Sequence, residues 1–279
     1  MKTDSMKGMG KKAVFLDLDG TLLADDKSIP PVNIQAIEKA RSRGNCIVIS
    51  TGRPLKSAVG LAEDLGLTGE GNYLIAYNGG MLYDTFNRKV IFESSIALDT
   101  VRNIFRHAHE KKLHLQTYDR ENVLVLPEGD DEDIRIYCRK IRMEYRVLSS
   151  ANCITEEPVK MLAINRTDPV ALEEFIDWIN VNYGDSLAAF YSNPTYVEIV
   201  NKGLNKGNAL RQLAQVLDID ISDTIAAGDQ ANDIDMIRAA GTGCAVSNAT
   251  DPVKAAADYI TEKDNNSGAV AEIIEKFVL

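Results

Sequence analysis

Ala13-Val14-Phe15-Leu16-Asp17-Leu18-Asp19-Gly20-Thr21-Leu22 is the stretch that decides the reading of this chain. It opens as a short apolar run with strand character and ends in two carboxylates, at i and i+2, followed by glycine. Carboxylates directly after a buried strand are costly unless a metal, a proton or a hydrogen-bond partner accompanies them. Gly20 lets the chain turn sharply and brings backbone N–H groups towards an anion.

Working outward, strand and helix alternate. Helical spacing over 32–43 is opened by Pro30 and Pro31 and closed by Gly44. A second apolar run covers 46–50, a second helix 54–65 and a third strand 73–77, which ends at Asn78-Gly79-Gly80. The pattern returns at the far end, with helices over 206–217, 233–240, 252–257 and 268–277 and strands over 224–227 and 242–246. Continuous apolar strands between helices indicate a parallel sheet covered on both faces. The middle differs: strands over 113–117, 123–126 and 160–165 are separated by helical stretches over 99–111, 131–142 and 169–182. The expected fold class is α/β: one discontinuous core, 1–84 and 191–279, carrying an α+β insertion at 85–190.

The chain has 279 residues, 45% hydrophobic and 26% charged, enough for one large domain or two smaller ones. A net charge of −10 and a pI near 4.9 disfavour nucleic acid and anionic lipid as partners. No apolar run approaches the roughly 20 residues that span a bilayer. The N-terminus is polar and lacks the apolar core of a secretory signal, so folding is expected to begin near Lys11 and the location to be cytoplasmic. Cys46, Cys138, Cys153 and Cys244 form no C-x-x-C pair and read as reduced packing cysteines. Nothing in the sequence sets an oligomeric state.

Four segments carry chemistry. The first is the opening stretch. The second, Ser50-Thr51-Gly52-Arg53-Pro54, sets a hydroxyl and free N–H groups at a helix start, an anion site. The third puts Lys206 at a helix entry, and the fourth, Gly228-Asp229-Gln230-Ala231-Asn232-Asp233, brings two more carboxylates and an amide to a strand-to-helix turn. Each alone also reads as a turn or a helix cap. Three of them sit where an apolar strand ends, and the carboxyl ends of strands in open parallel sheets carry the ligand crevice.

In this order the segments resemble the four motifs of the haloacid dehalogenase-like (HAD) superfamily, closest to its Cof-type, class IIB small-molecule phosphatases. The resemblance covers nearly the whole chain; Gln230-Ala231 departs from the Gly or Ala followed by Glu common in relatives. It implies a Rossmannoid core with a C2-type cap inserted between the second and third motifs. It implies a phosphatase acting on a small organic phosphate, a sugar phosphate first and pyridoxal or flavin-pathway phosphates next, through an aspartyl-phosphate intermediate. Asp17 would be the nucleophile and Asp19 the general acid and base. Thr51, Gly52, Lys206 and Asn232 would hold the phosphoryl oxygens. Mg²⁺ would be held by the carboxylates of Asp17 and Asp229 and the carbonyl of Asp19, with Asp233 either a further ligand or the residue that orients Lys206.

A phosphomutase of the same branch and a non-catalytic phosphometabolite sensor are the competing readings. Retention of Asp17, Asp19, Lys206 and Asp229 together speaks against the sensor. Other features take plain readings: His107, His109 and His114 as solvated or half-buried side chains, Trp178 as core packing, the acidic run 128–133 as a helix cap, and Asn78-Gly79-Gly80 as a turn, with substrate contact the alternative because it faces the crevice.

Overall fold

The computed structural model describes residues 10–279, so the reading of the extreme N-terminus lies, for residues 1–9, outside the described residues. The chain begins β1 (Ala13–Asp17), α1 (Pro31–Ser42), β2 (Cys46–Ser50), α2 (Leu55–Asp64), β3 (Asn72–Ala76), β4 (Met81–Asp84) and β5 (Lys89–Glu93). It continues through α3 (Leu98–Glu110), β6 (His114–Tyr118), β7 (Asn122–Val125), α4 (Glu132–Ile141), β8 (Glu144–Val147), β9 (Lys160–Ile164), α5 (Pro169–Tyr183), β10 (Leu187–Asn193) and β11 (Tyr196–Asn201). It ends with α6 (Lys206–Val216), β12 (Thr224–Gly228), α7 (Ile234–Ala239), β13 (Thr242–Ala245), α8 (Asp251–Ala256), β14 (Tyr259–Ile260) and α9 (Ala269–Phe277).

Two sheets result. The first has eight strands in the order β14-β13-β12-β1-β2-β3-β4-β5, parallel from β14 to β3 and antiparallel at β4 and β5. β1 is buried along its whole length, and its side chains alternate between two cores. Val14 and Leu16 face α1, α2 and α9, while Ala13 and Phe15 face α6 and α7. A strand buried on both faces has to read as an unbroken apolar run, which is why 13–16 contains no polar residue. Truncating the fully buried Phe15 to alanine would cost about 3–5 kcal/mol.

The second sheet has six strands in the order β10-β11-β9-β6-β7-β8, antiparallel except for the β7–β8 pair. Its own core includes Phe105, Met161, Phe175 and Ile199, contributed by α3, β9, α5 and β11. This is the inserted α+β unit. The expected divisions at 84/85 and 190/191 fall inside the β4–β5 and β10–β11 hairpins. The chain leaves the first sheet after Glu93 and rejoins it through α6 after Asn201, because each hairpin pairs with the sheet it belongs to rather than ending it.

All four cysteines are free; Cys46, Cys138 and Cys244 are buried, whereas Cys153 is exposed, with its sulfur beside the hydroxyls of Ser149 and Ser150. Among the described residues no helix is long and apolar enough to cross a membrane.

Candidate active site

The site lies where β1, β2 and β12 end. Beyond Asp17 the chain winds tightly, with Leu22 N–H donating to Asp17 O at 3.2 Å and Leu23 N–H to Leu18 O at 2.9 Å. Gly20 takes φ +90°, and a Cβ there would come within 2.5 Å of Oδ2 of Asp229. Only glycine fits both the backbone and the approach of the β12 loop.

Lys206 is the first residue of α6 and is fully buried. A cation in the first turn of a helix opposes the helix dipole. It is held there by two carboxylates: Nζ lies 2.5 Å from Oδ1 of Asp17 and 2.6 Å from Oδ1 of Asp233. Burial alone would lower the Lys206 ammonium, but Asp17 and Asp233 outweigh it and hold it above its ordinary value. The other oxygen of Asp233 accepts the N–H groups of Asp229 and Gln230, each at 3.0 Å. Both oxygens of Asp233 are thus committed to ordering Lys206 and the β12 loop.

Asp17, Asp229 and Asp233 bring carboxylate oxygens within 4.8 Å of one another, all three buried. Burial, then the neighbouring Asp233, push the Asp17 carboxyl well above its ordinary range against the pull of Lys206. The same two causes raise Asp229, although Gln230 and Thr21 donate to it. Three buried carboxylates around one ammonium leave an excess of negative charge in a hard-oxygen donor set. That composition suits a divalent cation of the Mg²⁺ type.

Asp19 sits differently. Arg53 meets it with Nε 3.0 Å from Oδ2 and Nη2 3.0 Å from Oδ1, and Lys27 Nζ lies 3.0 Å from Oδ1. Burial works against ionisation, but Arg53 first and Lys27 after it hold the Asp19 carboxyl below its ordinary range.

A cavity of about 290 Å³ opens over these groups. Asp17, Asp19, Thr51, Gly52 and Asn232 line it on the core side, so the structure brings those expected site residues to one space. Lys206, Asp229 and Asp233 lie behind Asp17 rather than on the wall. The insert supplies the facing wall, with Tyr137, Lys160, Tyr196 and Glu198 among its residues.

Several of these residues escaped the sequence. Arg53 stands inside a quoted motif without a role, and Lys27, Lys160 and Glu198 carry no local signal. Asn78 read as a plain turn, yet its side chain is buried and bonded across the seam to Glu198. His114 is buried too, with its ring nitrogens 3.0 Å from Asp131 Oδ2 and 3.1 Å from Gln116 Oε1. His107 stacks on Trp178 with centroids 3.8 Å apart, consistent with packing for Trp178. Asp131 caps α4 by accepting from Ile134 N, as the acidic run suggests.

Residues 14–274 match the family model of the haloacid dehalogenase-like hydrolases. YxeH of Bacillus subtilis is 32% identical over 271 residues, spanning 96% of this chain and 98% of its own. The 5-amino-6-(5-phospho-D-ribitylamino)uracil phosphatase YcsE of the same organism is 30% identical over 270 residues, 96% of each chain. The solved structure of the HAD subclass IIB sugar phosphatase BT4131 superimposes with a TM-score of 0.80 at 25% identity, covering 96% of this chain and 99% of that one. With the parallel core sheet and the inserted mixed sheet, these likenesses place the chain: it belongs to the haloacid dehalogenase-like hydrolases, in their Cof-type subclass IIB, and is a phosphatase of small phosphate esters.

Proposed function

We propose that the chain is a Mg²⁺-dependent phosphatase that passes the phosphoryl group of a sugar phosphate, or a similar small metabolite, to Asp17 and then to water. One observation carries this reading. Asp17 belongs to the buried charged cluster and also forms part of the cavity wall, with Lys206 fixed behind it. A carboxylate so placed is oriented and still open to a substrate.

In the first step an oxygen of Asp17 attacks phosphorus, and the bond from phosphorus to the leaving alkoxide breaks. Asp19, which takes up a proton from solvent once Arg53 has turned to the substrate, gives that alkoxide its proton. In the second step Asp19 takes a proton from water, the water oxygen attacks phosphorus, and the bond to Asp17 breaks. Arg53 and Lys27 occupy Asp19 in the arrangement described, so the arriving substrate has to draw Arg53 away before Asp19 serves as an acid. Thr51, the N–H of Gly52, Lys206 and Asn232 receive the phosphoryl oxygens and the charge that develops on them. The carboxylates of Asp17 and Asp229 and the carbonyl of Asp19 would hold Mg²⁺, which when bound supplies positive charge to the phosphoryl oxygens. Asp233 is assigned to holding Lys206, since both its oxygens are already engaged.

We assign 10–93 and 202–279 to the catalytic core and 94–201 to the cap, which selects the organic part of the substrate. About 290 Å³ suits a small metabolite. The cap wall mixes the Tyr137 and Tyr196 rings with the Lys160 and Glu198 charges. Aromatic faces beside hydrogen-bonding groups suit a polyol, and one relative is named a sugar phosphatase. Four free cysteines fit a reducing compartment such as the cytoplasm.

Turnover of a panel of phosphate monoesters with Mg²⁺ is the test. We expect sugar phosphates to rank first by kcat/KM. Pyridoxal or flavin-pathway phosphates ranking well above every sugar phosphate would overturn the substrate assignment while leaving the chemistry.

A further inference from the structure

We infer that Glu198, a cap residue, sets which way the amide of Asn232 faces and so makes the phosphoryl pocket meet a hydrogen-bond donor. The inference rests on the reading above that Asn232 binds a phosphoryl oxygen.

The chain of contacts is short. Nδ2 of Asn78 donates to Oε2 of Glu198 at 2.9 Å, and Nδ2 of Asn232 donates to Oδ1 of Asn78 at 3.2 Å. Lys160 Nζ stands 3.3 Å from the same Oε2 and donates to Gly52 O at 2.9 Å. Asn78, Glu198 and Lys160 are all buried in the seam between core and cap.

Hydrogen inventory gives this chain a direction. A carboxylate can only accept. Asn78 therefore turns its NH₂ to Glu198 and leaves its carbonyl oxygen for Asn232. That oxygen has no hydrogen, so Asn232 has to present its own NH₂. One of the two hydrogens is used on Asn78, and the other is free for the cavity that Asn232 lines. The reversed amide would set a carbonyl oxygen against an anion. Asn232 is itself exposed, and among the described residues its side chain has no other hydrogen-bond partner, so its immediate surroundings do not fix the amide.

Asn78 is fixed by its backbone. Tyr77, Asn78 and Gly79 take φ +52°, +55° and +105°, three left-handed residues in succession. A Cβ on Gly79 would come within 2.4 Å of Asn205 O, so glycine is required there. Asn78 N–H donates to Thr51 O at 3.0 Å, which ties the turn to the second motif. Strained left-handed residues persist where the surroundings over-determine them. Glu198 and Asn78 are positioning residues: the phosphoryl pocket is complete only with β11 of the cap seated on the core.

The test is inhibition of p-nitrophenyl phosphate turnover by inorganic phosphate, with Mg²⁺ present. Inorganic phosphate has no organic part for a cap residue to touch. We expect Glu198→Ala and Asn78→Ala each to weaken phosphate binding about tenfold, the scale of one hydrogen bond to a charged group. In an Asn232→Ala background neither should weaken it further. Glu198→Gln keeps an acceptor oxygen for Asn78 and should recover most of the loss. Removal of a negative charge alone would act in the opposite sense and tighten phosphate binding. Melting temperatures check each fold, and if Glu198→Ala does not fold, the cycle of Asn78→Ala with Asn232→Ala carries the test. Unchanged or tighter phosphate binding in folded Glu198→Ala, or equal weakening with and without Asn232, overturns the inference. Turnover by the unaltered protein reads the phosphatase chemistry separately, so the two failures are distinguishable.

Discussion

Arg53 grips Asp19 from the neighbouring loop with two nitrogens, Nε 3.0 Å from Oδ2 and Nη2 3.0 Å from Oδ1. The two residues follow different strands, β1 and β2, so the pair ties the first motif to the second. A two-nitrogen contact fixes direction as well as charge.

Arg53→Ala should lower kcat/KM at least about tenfold, because the arriving substrate loses the cation that it draws from Asp19. Arg53→Lys should recover little, since an ammonium cannot form the paired contact. Steady-state kinetics on an alkyl phosphate check this, and an unchanged kcat/KM in Arg53→Ala would remove the role.

The crowding of Asp17, Asp229 and Asp233 around Lys206 predicts that Mg²⁺ stabilises the fold as well as the chemistry. A ligand that binds only the folded state adds about 2.7 kcal/mol at 100 times its Kd, which is roughly 5–10 °C in Tm for a chain of this size. Asp229→Asn should shrink that rise, and EDTA should reverse it in the unaltered protein. Thermal melts with and without Mg²⁺ are the measurement. A Tm indifferent to Mg²⁺ would mean that the carboxylates do not hold it.

Glu272 on α9 closes the far edge of the first sheet. It accepts Tyr259 Oη at 2.6 Å, Glu262 N at 2.9 Å and Lys263 N at 3.1 Å. Partial burial opposes its ionisation, but the Tyr259 hydroxyl and the two N–H groups outweigh that and lower the carboxyl. A depressed carboxylate stabilises the fold above its unfolded pKa, and the contribution fades as pH falls through the lower folded value. Glu272→Gln should cost about 1 kcal/mol at pH 7, a modest figure because the site is only partly buried. The difference should begin to shrink below about pH 4 and disappear only once pH has fallen past the depressed folded value. Denaturant titrations at both pH values check the sign; a constant difference would contradict it.

The core was legible because burial on both faces forces a simple pattern. β2 coincides with the apolar run at 46–50, and Pro30 and Pro31 mark the entry to α1. Less of the cap could be read. β8 is mostly exposed and carries Glu144 and Arg146, so it shows no apolar run. β10 begins Leu187-Ala188-Ala189, and alanine is a weak strand signal. β5 is the half-exposed edge strand and β4 beside it is buried only over Met81 and Leu82, so neither shows a continuous buried run. The motif residues could be found because three of the four segments follow an apolar strand at a short spacing and the fourth opens a helix. Lys160 and Glu198 could not, since they lie 108 and 120 residues from their partners Gly52 and Asn78. Long-range pairing leaves no local periodicity to find.

The central claim is that Asp17 takes the phosphoryl group. Turnover of p-nitrophenyl phosphate by purified Asp17→Asn, set beside the unaltered protein with Mg²⁺, tests it most directly. The amide is nearly isosteric and its oxygen can still accept from Lys206, so the variant should fold, and a melt taken without Mg²⁺ checks that it does. We expect its kcat to fall below about one-thousandth while the unaltered protein turns over steadily. Substantial turnover by a folded Asp17→Asn protein, free of the unaltered enzyme, would contradict the covalent mechanism.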